Sequence, residues 1–182
     1  VVNWADDGRE IKDFKSSGLQ GHSNYGSLGV TWSKISTSYF GVRQQAPGAI
    51  FDSAAPGLFP TAEMSALQVL SLLSSSSAAE FVKSLNPTLN IQVGNIASIP
   101  LPDGTEWRSG AETLGTEAVA LSRADWDAFE RSWDFQSCPL LTASADSTPT
   151  LESSYTDWTT QNSDTIAEMK RSEQENNPPS IY

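Results

Sequence analysis

Asn86-Pro87-Thr88-Leu89-Asn90-Ile91-Gln92-Val93-Gly94-Asn95-Ile96-Ala97-Ser98-Ile99-Pro100-Leu101-Pro102 is the stretch on which the reading of this fold turns. Residues 89–93 and 96–99 carry β-branched and other apolar side chains in short runs, so they read as strands. Gly94 and Asn95 suit a tight turn between them, and the closing prolines stop any helix. Upstream lie two helical patterns. The first spans about residues 61–73, with Met64, Leu67 and Leu70 or Leu73 on one face. The second opens on a capping box, Ser77-Ala78-Ala79-Glu80, buries Phe81, Val82 and Leu85, and ends before Asn86-Pro87. Residues 74–77 are the connection between these helices.

Further upstream, residues 30–33, 39–44 and 49–52 read as short strands broken by Gly, Ser and Pro. Gln45-Ala46-Pro47-Gly48 predicts a hairpin between the last two, and Ala55-Pro56-Gly57 opens a loop. Pro102-Asp103-Gly104 marks another turn. Downstream, Ser122 and Asp125 can cap a helix in which Trp126, Phe129 and Trp133 fall at i, i+3 and i+7, a single apolar face expected in the core. Residues 141–150 are rich in Ser, Thr, Ala and Asp and read as a linker. A helix over about 151–173 follows, with Leu151, Tyr155, Trp158, Ile166 and Met169 roughly on one face and acid on the other. That face is expected to pack against a part of the parent protein outside this chain. The predicted fold is α+β: a small, mostly antiparallel sheet with an inserted helix pair, plus C-terminal helices. Residues 1–140 form the domain, 141–150 the linker and 151–182 a helical segment.

The 182 residues suffice for one domain with a core of its own. The chain begins at Val1 without a methionine, which suggests an excised or processed piece. No run reaches the roughly 18 consecutive apolar residues of a membrane span, and no signal-peptide pattern is visible. One cysteine, Cys138, excludes an internal disulfide, and with a single histidine, His22, no four-ligand zinc site of Cys and His can form. A cytoplasmic setting fits these features.

Eleven basic against twenty-two acidic residues give a net charge of −11. The acid is unevenly spread. Residues 1–60 hold five acids and five bases, 61–120 hold six and two, and 121–182 hold eleven and four. Lys34 and Arg43 lie in the neutral first third, near Trp32, Tyr39 and Phe40. Thr31, Ser33, Ser36 and Ser38 offer short hydrogen-bonding groups beside them. Asn90, Gln92 and Asn95 add neutral amides that both donate and accept. Such groups read base edges and hold phosphates: Arg and Lys favour guanine edges or phosphates, Asn and Gln favour adenine. For each position taken singly, a solvated strand or loop residue is the plainer reading. Trp32 is read as core.

Catalytic patterns are missing. No Gly-x-Ser-x-Gly elbow occurs, and His22 sits in a Gly-Ser-Asn-rich loop. Asp6-Asp7 and Asp125/Asp127 are carboxylate pairs by sequence only, since adjacent strand residues diverge and Asp125 is better read as a cap. Asn177-Pro178-Pro179 invites comparison with the base-holding motif of adenine methyltransferases. Ser180 stands where an aromatic would stack, however, and no glycine-rich cofactor turn precedes it.

Several blocks in fixed order carry a resemblance. They are Gly29-Val30-Thr31-Trp32-Ser33-Lys34-Ile35-Ser36, Phe40-Gly41-Val42-Arg43, Gly48-Ala49-Ile50-Phe51-Asp52, Asp125-Trp126-Asp127-Ala128-Phe129-Glu130-Arg131-Ser132-Trp133-Asp134-Phe135 and Pro139-Leu140-Leu141. The lead-in Val1-Val2-Asn3-Trp4, with Asp7-Gly8 and Glu10-Ile11-Lys12, belongs with them. Together they resemble the C-terminal, specificity-determining part of the BREX-type adenine-specific DNA methyltransferases, the PglX family. The resemblance implies a target-recognition domain for double-stranded DNA in a phage-defence, restriction-modification-like system. The catalytic half and its S-adenosylmethionine would lie in the upstream methyltransferase domain of the same parent, with no cofactor, metal or catalytic residue in this chain. Other phage-defence proteins are possible partners, and a membrane is not. The residues expected to meet DNA are Thr31, Ser33, Lys34, Ser36, Ser38, Arg43, Asn90, Gln92 and Asn95. The sequence departs from the family at its end, where Asn176-Asn177-Pro178-Pro179-Ser180-Ile181-Tyr182 replaces a hydrophobic continuation. The charge suggests a rival: an acidic protein-interaction module, or a mimic of DNA.

Overall fold

Val30 and Trp32 alternate with Thr31 along strand β1 (Gly29–Trp32), so the period-2 geometry of a strand sends both apolar side chains to one face. Both are fully buried there. The computed structural model describes residues 2–37, 39–144 and 148–177. In it β1 is the centre of a three-stranded antiparallel sheet, flanked by β2 (Val42–Gln45) and β3 (Gly57–Leu58). Gly29 stands opposite Gln45 and Trp32 opposite Val42, while Thr31 pairs with Gly57 on the other side. The protein is α+β, as its sequence implies, but the sheet is drawn differently. Residues 49–52 do not form a strand, and their hairpin gives way to the β1–β3 pairing. The loop expected at Ala55-Pro56-Gly57 leads directly into β3.

One face of the sheet is covered by α2 (Ala66–Leu73) and α3 (Ser76–Leu85). Ala66, Val69, Leu70, Leu73, Ala78 and Val82 join Val30 and Trp32 in the core, together with Ile91, Ile96 and Ile99. The start of α2 is set by Ser65, whose hydroxyl accepts from the Gln68 amide while the Gln68 side chain accepts from the Ser65 amide. This reciprocal cap puts the helix start at Ala66, about five residues later than the sequence suggests. In α3 the cap is Ser75, accepting from the Ala78 amide, rather than the expected Ser77–Glu80 box. With that register Val82 is buried, whereas Phe81 and Leu85 are left exposed.

Behind the sheet runs an aromatic row. Trp4, Tyr25, Phe51 and Phe59 follow one another with ring centroids 5.4, 4.9 and 5.0 Å apart. Phe59 lies on the glycines of the sheet, its ring 2.9 Å from where a Cβ on Gly29 would stand. Trp4 leads into α1 (Ala5–Asp13), whose opening residues Asp6, Asp7 and Gly8 all have positive φ.

The stretch 86–102 departs most from expectation. Residues 89–91 meet the sheet's extension through a single bridge, Ile35 opposite Asn90. Val93–Ala97 then form a short helix, α4, instead of a turn and a strand. The reason is local: the Asn95 side chain accepts from the Gln92 amide at 2.9 Å and supplies a helix start where Gly94-Asn95 suggests a hairpin.

A long helix, α5 (Thr105–Asp127), occupies a region that lacks a strong apolar period. It is clamped to α2: Ser71 donates to the Ala111 carbonyl at 2.7 Å, Gln68 to the Arg108 carbonyl at 3.2 Å, and Gly115 lies against the α2 backbone. Ser122 and Asp125 therefore stand in the last turns of a helix, not at the start of one. Beyond Asp127 the chain turns, with the Ser132 hydroxyl donating to Asp127 at 2.5 Å. Trp126, Phe129 and Trp133 thus do not form one helical face in the core. They are 55%, 57% and 97% exposed.

After residues 141–150, α6 (Leu151–Asn176) is capped by Thr150 and runs along α5. Its end is tied to the α2–α3 corner, where Asn176 donates to the Ser71 carbonyl at 3.0 Å and Asn177 accepts from the Ser76 amide at 2.6 Å. No helix among the described residues is long and apolar enough to cross a membrane.

Candidate nucleic-acid interface

The two clusters of expected DNA-facing residues come together. Past Trp32 the chain bends at Lys34, and Ile35 forms an antiparallel bridge with Asn90. The Ile91 amide donates to the Lys34 carbonyl at 2.7 Å, and the Ser36 amide donates to the Leu89 carbonyl at 3.2 Å. The buried Trp32 indole N–H donates to the Ile91 carbonyl at 3.3 Å, linking residues 59 apart in sequence. The core tryptophan thus fixes the position of a polar strip at the end of the sheet. A core made of β-branched residues would lack that donor.

On this strip Arg43 Nη2 donates to Ser33 Oγ at 3.1 Å, which holds the guanidinium beside the strand end. The Lys34 amide donates to the Ala54 carbonyl at 3.0 Å, and Lys34 itself is half-buried. The Ser36 hydroxyl donates to the Tyr39 carbonyl at 2.7 Å. Asn90 and Gln92 are exposed, and Asn86 Nδ2 donates to the Asn90 carbonyl. The Asn90 side chain makes no hydrogen bond to the described residues. Among the bases of the strip neither Lys34 nor Arg43 is in an ion pair within the described residues.

Not every expected member belongs there. Thr31 points to the other side of the sheet from Trp32, and its Oγ1 is buried without a hydrogen-bond partner among the described residues. It shares that side with its register partner Arg43 but lies beneath the exposed surface. Asn95 is half-buried and occupied as the cap of α4. Ser38 lies outside the described residues, as does the Pro178–Ser180 part of the terminal tripeptide motif. One carboxylate is close to the strip: Asp52 accepts from the amides of Ala54 and Ala55 at 2.7 and 3.2 Å, next to the carbonyl that receives the Lys34 amide.

Two exposed side chains escaped the sequence reading. Tyr39 is 77% exposed, and Ile35 projects from the strip between Lys34 and Ser36. The signal for Tyr39 was its place in a Ser-Thr-Ser-Tyr run too polar to enter a core. Ile35 gave none, because a β-branched residue in a strand pattern reads as buried.

No family model matches the chain. It is 30% identical over 186 residues to the adenine-specific methyltransferase PglX of Lacticaseibacillus casei (strain Zhang), covering 97% of this chain and 15% of that protein. It is 29% identical over 143 residues to the adenine-specific methyltransferase BrxX of Escherichia coli O9:H4 (strain HS), covering 78% of this chain and 12% of the relative. The chain spans about one-seventh of the length of the first of these proteins. Homology over nearly the whole chain relates it to a segment of the BREX-type adenine methyltransferases.

Proposed function

We propose that this chain, related to a segment of the BREX-type adenine methyltransferases, is the part of such an enzyme that docks double-stranded DNA and selects its target. The observation that carries the reading is the pairing of residues 34–36 with 89–91. That pairing sets the backbone of residues 34–36 beside that of 89–91 at the end of the sheet, with Arg43 bonded to Ser33 and neither Lys34 nor Arg43 in an ion pair among the described residues. A strip of this kind has what recognition needs: cations to meet phosphates, and neutral amides to meet base edges. Ser36 lies on the same segment, and Asn95 holds the start of α4 that follows Gln92.

Transfer of the methyl group requires the target adenine to leave the stack and enter a pocket beside S-adenosylmethionine. Those steps belong to the remainder of the parent enzyme. This segment sets the register of the duplex, so that the extruded base is the correct adenine. The −11 charge of the chain is compatible with this role because it is concentrated in the last third, away from the strip in sequence.

Fluorescence anisotropy with a labelled duplex pool tests the proposal, using the chain alone and the chain joined to its methyltransferase segment. Binding that weakens with salt, and weakens further in Lys34→Ala/Arg43→Ala, is the expected result. Absence of duplex binding even in the joined protein, or binding indifferent to the double substitution, overturns it.

A further inference from the structure

Ile35 and Tyr39 are large side chains with apolar bodies, and the strip at the sheet's end leaves both in water, 64% and 77% exposed. The backbone beneath them is fixed. Ile35 bridges to Asn90, and the Ile91 and Ser36 amides donate across that pairing at 2.7 and 3.2 Å. The Ser36 hydroxyl donates to the Tyr39 carbonyl at 2.7 Å, which closes the turn carrying the ring. The ring lies over Gly41, 3.0 Å from where a Cβ on that residue would stand. A larger residue at 41 would compete with the ring for its place. One exposed apolar side chain needs no explanation, but two on a single tethered turn do.

Charge says what meets them. Residues 14–51 and 81–102, the two segments joined by the Ile35–Asn90 bridge, contain no acid at all, although the chain carries twenty-two. Lys34 precedes Ile35, and Arg43 is held to Ser33 at 3.1 Å, so a second cation stands on the same segment. Neither is in an ion pair among the described residues. Asp52 is the carboxylate nearest in sequence after the first segment, and the Ala54 and Ala55 amides donate to it. An apolar prominence between cations matches a ligand that is anionic outside and stacked inside, which describes a nucleic-acid duplex.

We propose that Ile35 and Tyr39 form a wedge that enters the duplex and opens one base step, while Lys34 and Arg43 hold the flanking phosphates. This inference rests on the duplex docking proposed above and assigns that site a further act. Opening a step lowers the cost of extruding a neighbouring base, so one surface would couple target choice to delivery of the adenine.

Two labelled duplexes of one sequence test the wedge, one fully paired and one with a single central A·C mismatch, whose unstacking costs less. In anisotropy titrations with the full chain, alone and joined to its methyltransferase segment, the mismatched duplex is expected to bind at least about fivefold more tightly, the low end of what one stacked base contributes. Tyr39→Ala and Ile35→Ala should each shrink that ratio, and Tyr39→Phe, which keeps the ring, should preserve it. Both positions are exposed, so circular dichroism and the thermal midpoint should stay unchanged. Lys34→Ala/Arg43→Ala should weaken both duplexes alike and leave the ratio standing. Equal affinity of the parent for the two duplexes overturns the wedge. So does a ratio that survives both alanine substitutions, or one that Tyr39→Phe abolishes, and in these cases the docking itself is untouched. If neither duplex binds, or if binding ignores Lys34→Ala/Arg43→Ala, the docking fails and the wedge falls with it.

Discussion

Two glycines of one helix show how closely the contacts of single residues control stability here. A Cβ on Gly115 of α5 would stand 2.7 Å from the Leu67 carbonyl oxygen and 2.9 Å from Ser71 Oγ. Backbone cannot yield as a flexible side chain does, so Gly115→Ala must push α5 off α2. A loss of about 1–3 kcal/mol is expected, typical of overpacking. At Gly110, one turn and a half earlier, an added Cβ meets nothing within 4 Å. Gly110→Ala should therefore stabilise by about 0.5–1 kcal/mol, through helix propensity alone. Paired urea titrations check both signs. Asp7 gives a pH-dependent case. Lys12 donates to its carboxylate at 2.6 Å and Trp4 at 3.2 Å, and the Lys12 bond is the main reason its pKa falls below the usual 3.8. Because the folded value is the lower one, its contribution is complete above about pH 3.8 and disappears as the pH drops through the depressed value. The Trp4 indole resonance should accordingly shift in that acid window, and Lys12→Met should move the transition upward.

Among elements, Trp32 joins the sheet to the strip that follows α3. Trp32→Phe keeps most of the buried ring but leaves the Ile91 carbonyl without its donor, a cost of about 1–3 kcal/mol. Hydrogen exchange should localise the effect, with the Ile91 and Ser36 amides losing protection before those of β1. Legibility in the sequence follows the same divide between local and distant causes. The helix α6 was readable from its amphipathic period, and β1 from its alternation, since each carries its own signal. By contrast α5 hides its helical character in Gly110, Gly115 and many short polar side chains, and only its clamp on α2 reveals why it forms. Residues 93–97 read as a Gly94-Asn95 turn between two strands, yet the Asn95 side chain, accepting from the Gln92 amide, decides for helix. The aromatic spacing at 126, 129 and 133 is helical on paper, but the turn after Asp127 breaks it and leaves the rings outside. Of the candidate site, the residue types were legible and their convergence was not, because no local pattern announces a pairing between positions 35 and 90.

For the molecule as a whole, a charge of −11 gives salt two opposite effects. Screening relieves repulsion among the acids of the C-terminal third, so modest salt should raise the thermal midpoint. The same screening removes the advantage gained when cations displace counterions from DNA. Each phosphate neutralised contributes about −0.9 to the slope of log affinity against log salt. If Lys34 and Arg43 each meet one phosphate, together they account for a slope of about −2, and Lys34→Ala/Arg43→Ala should flatten the dependence by that amount. A change in intercept with no change in slope would mean that the substitutions disturb the strip without removing a phosphate contact. Asn90→Ala offers the complementary measurement: an uncharged side chain that reads bases should leave the slope alone and narrow the affinity gap between preferred and other duplexes, by about 1–3 kcal/mol where one bidentate contact is lost. Stability that rises with salt while binding falls is the signature of an anionic body carrying one cationic edge. A DNA mimic of equal charge would show the first trend and no duplex binding to accompany it.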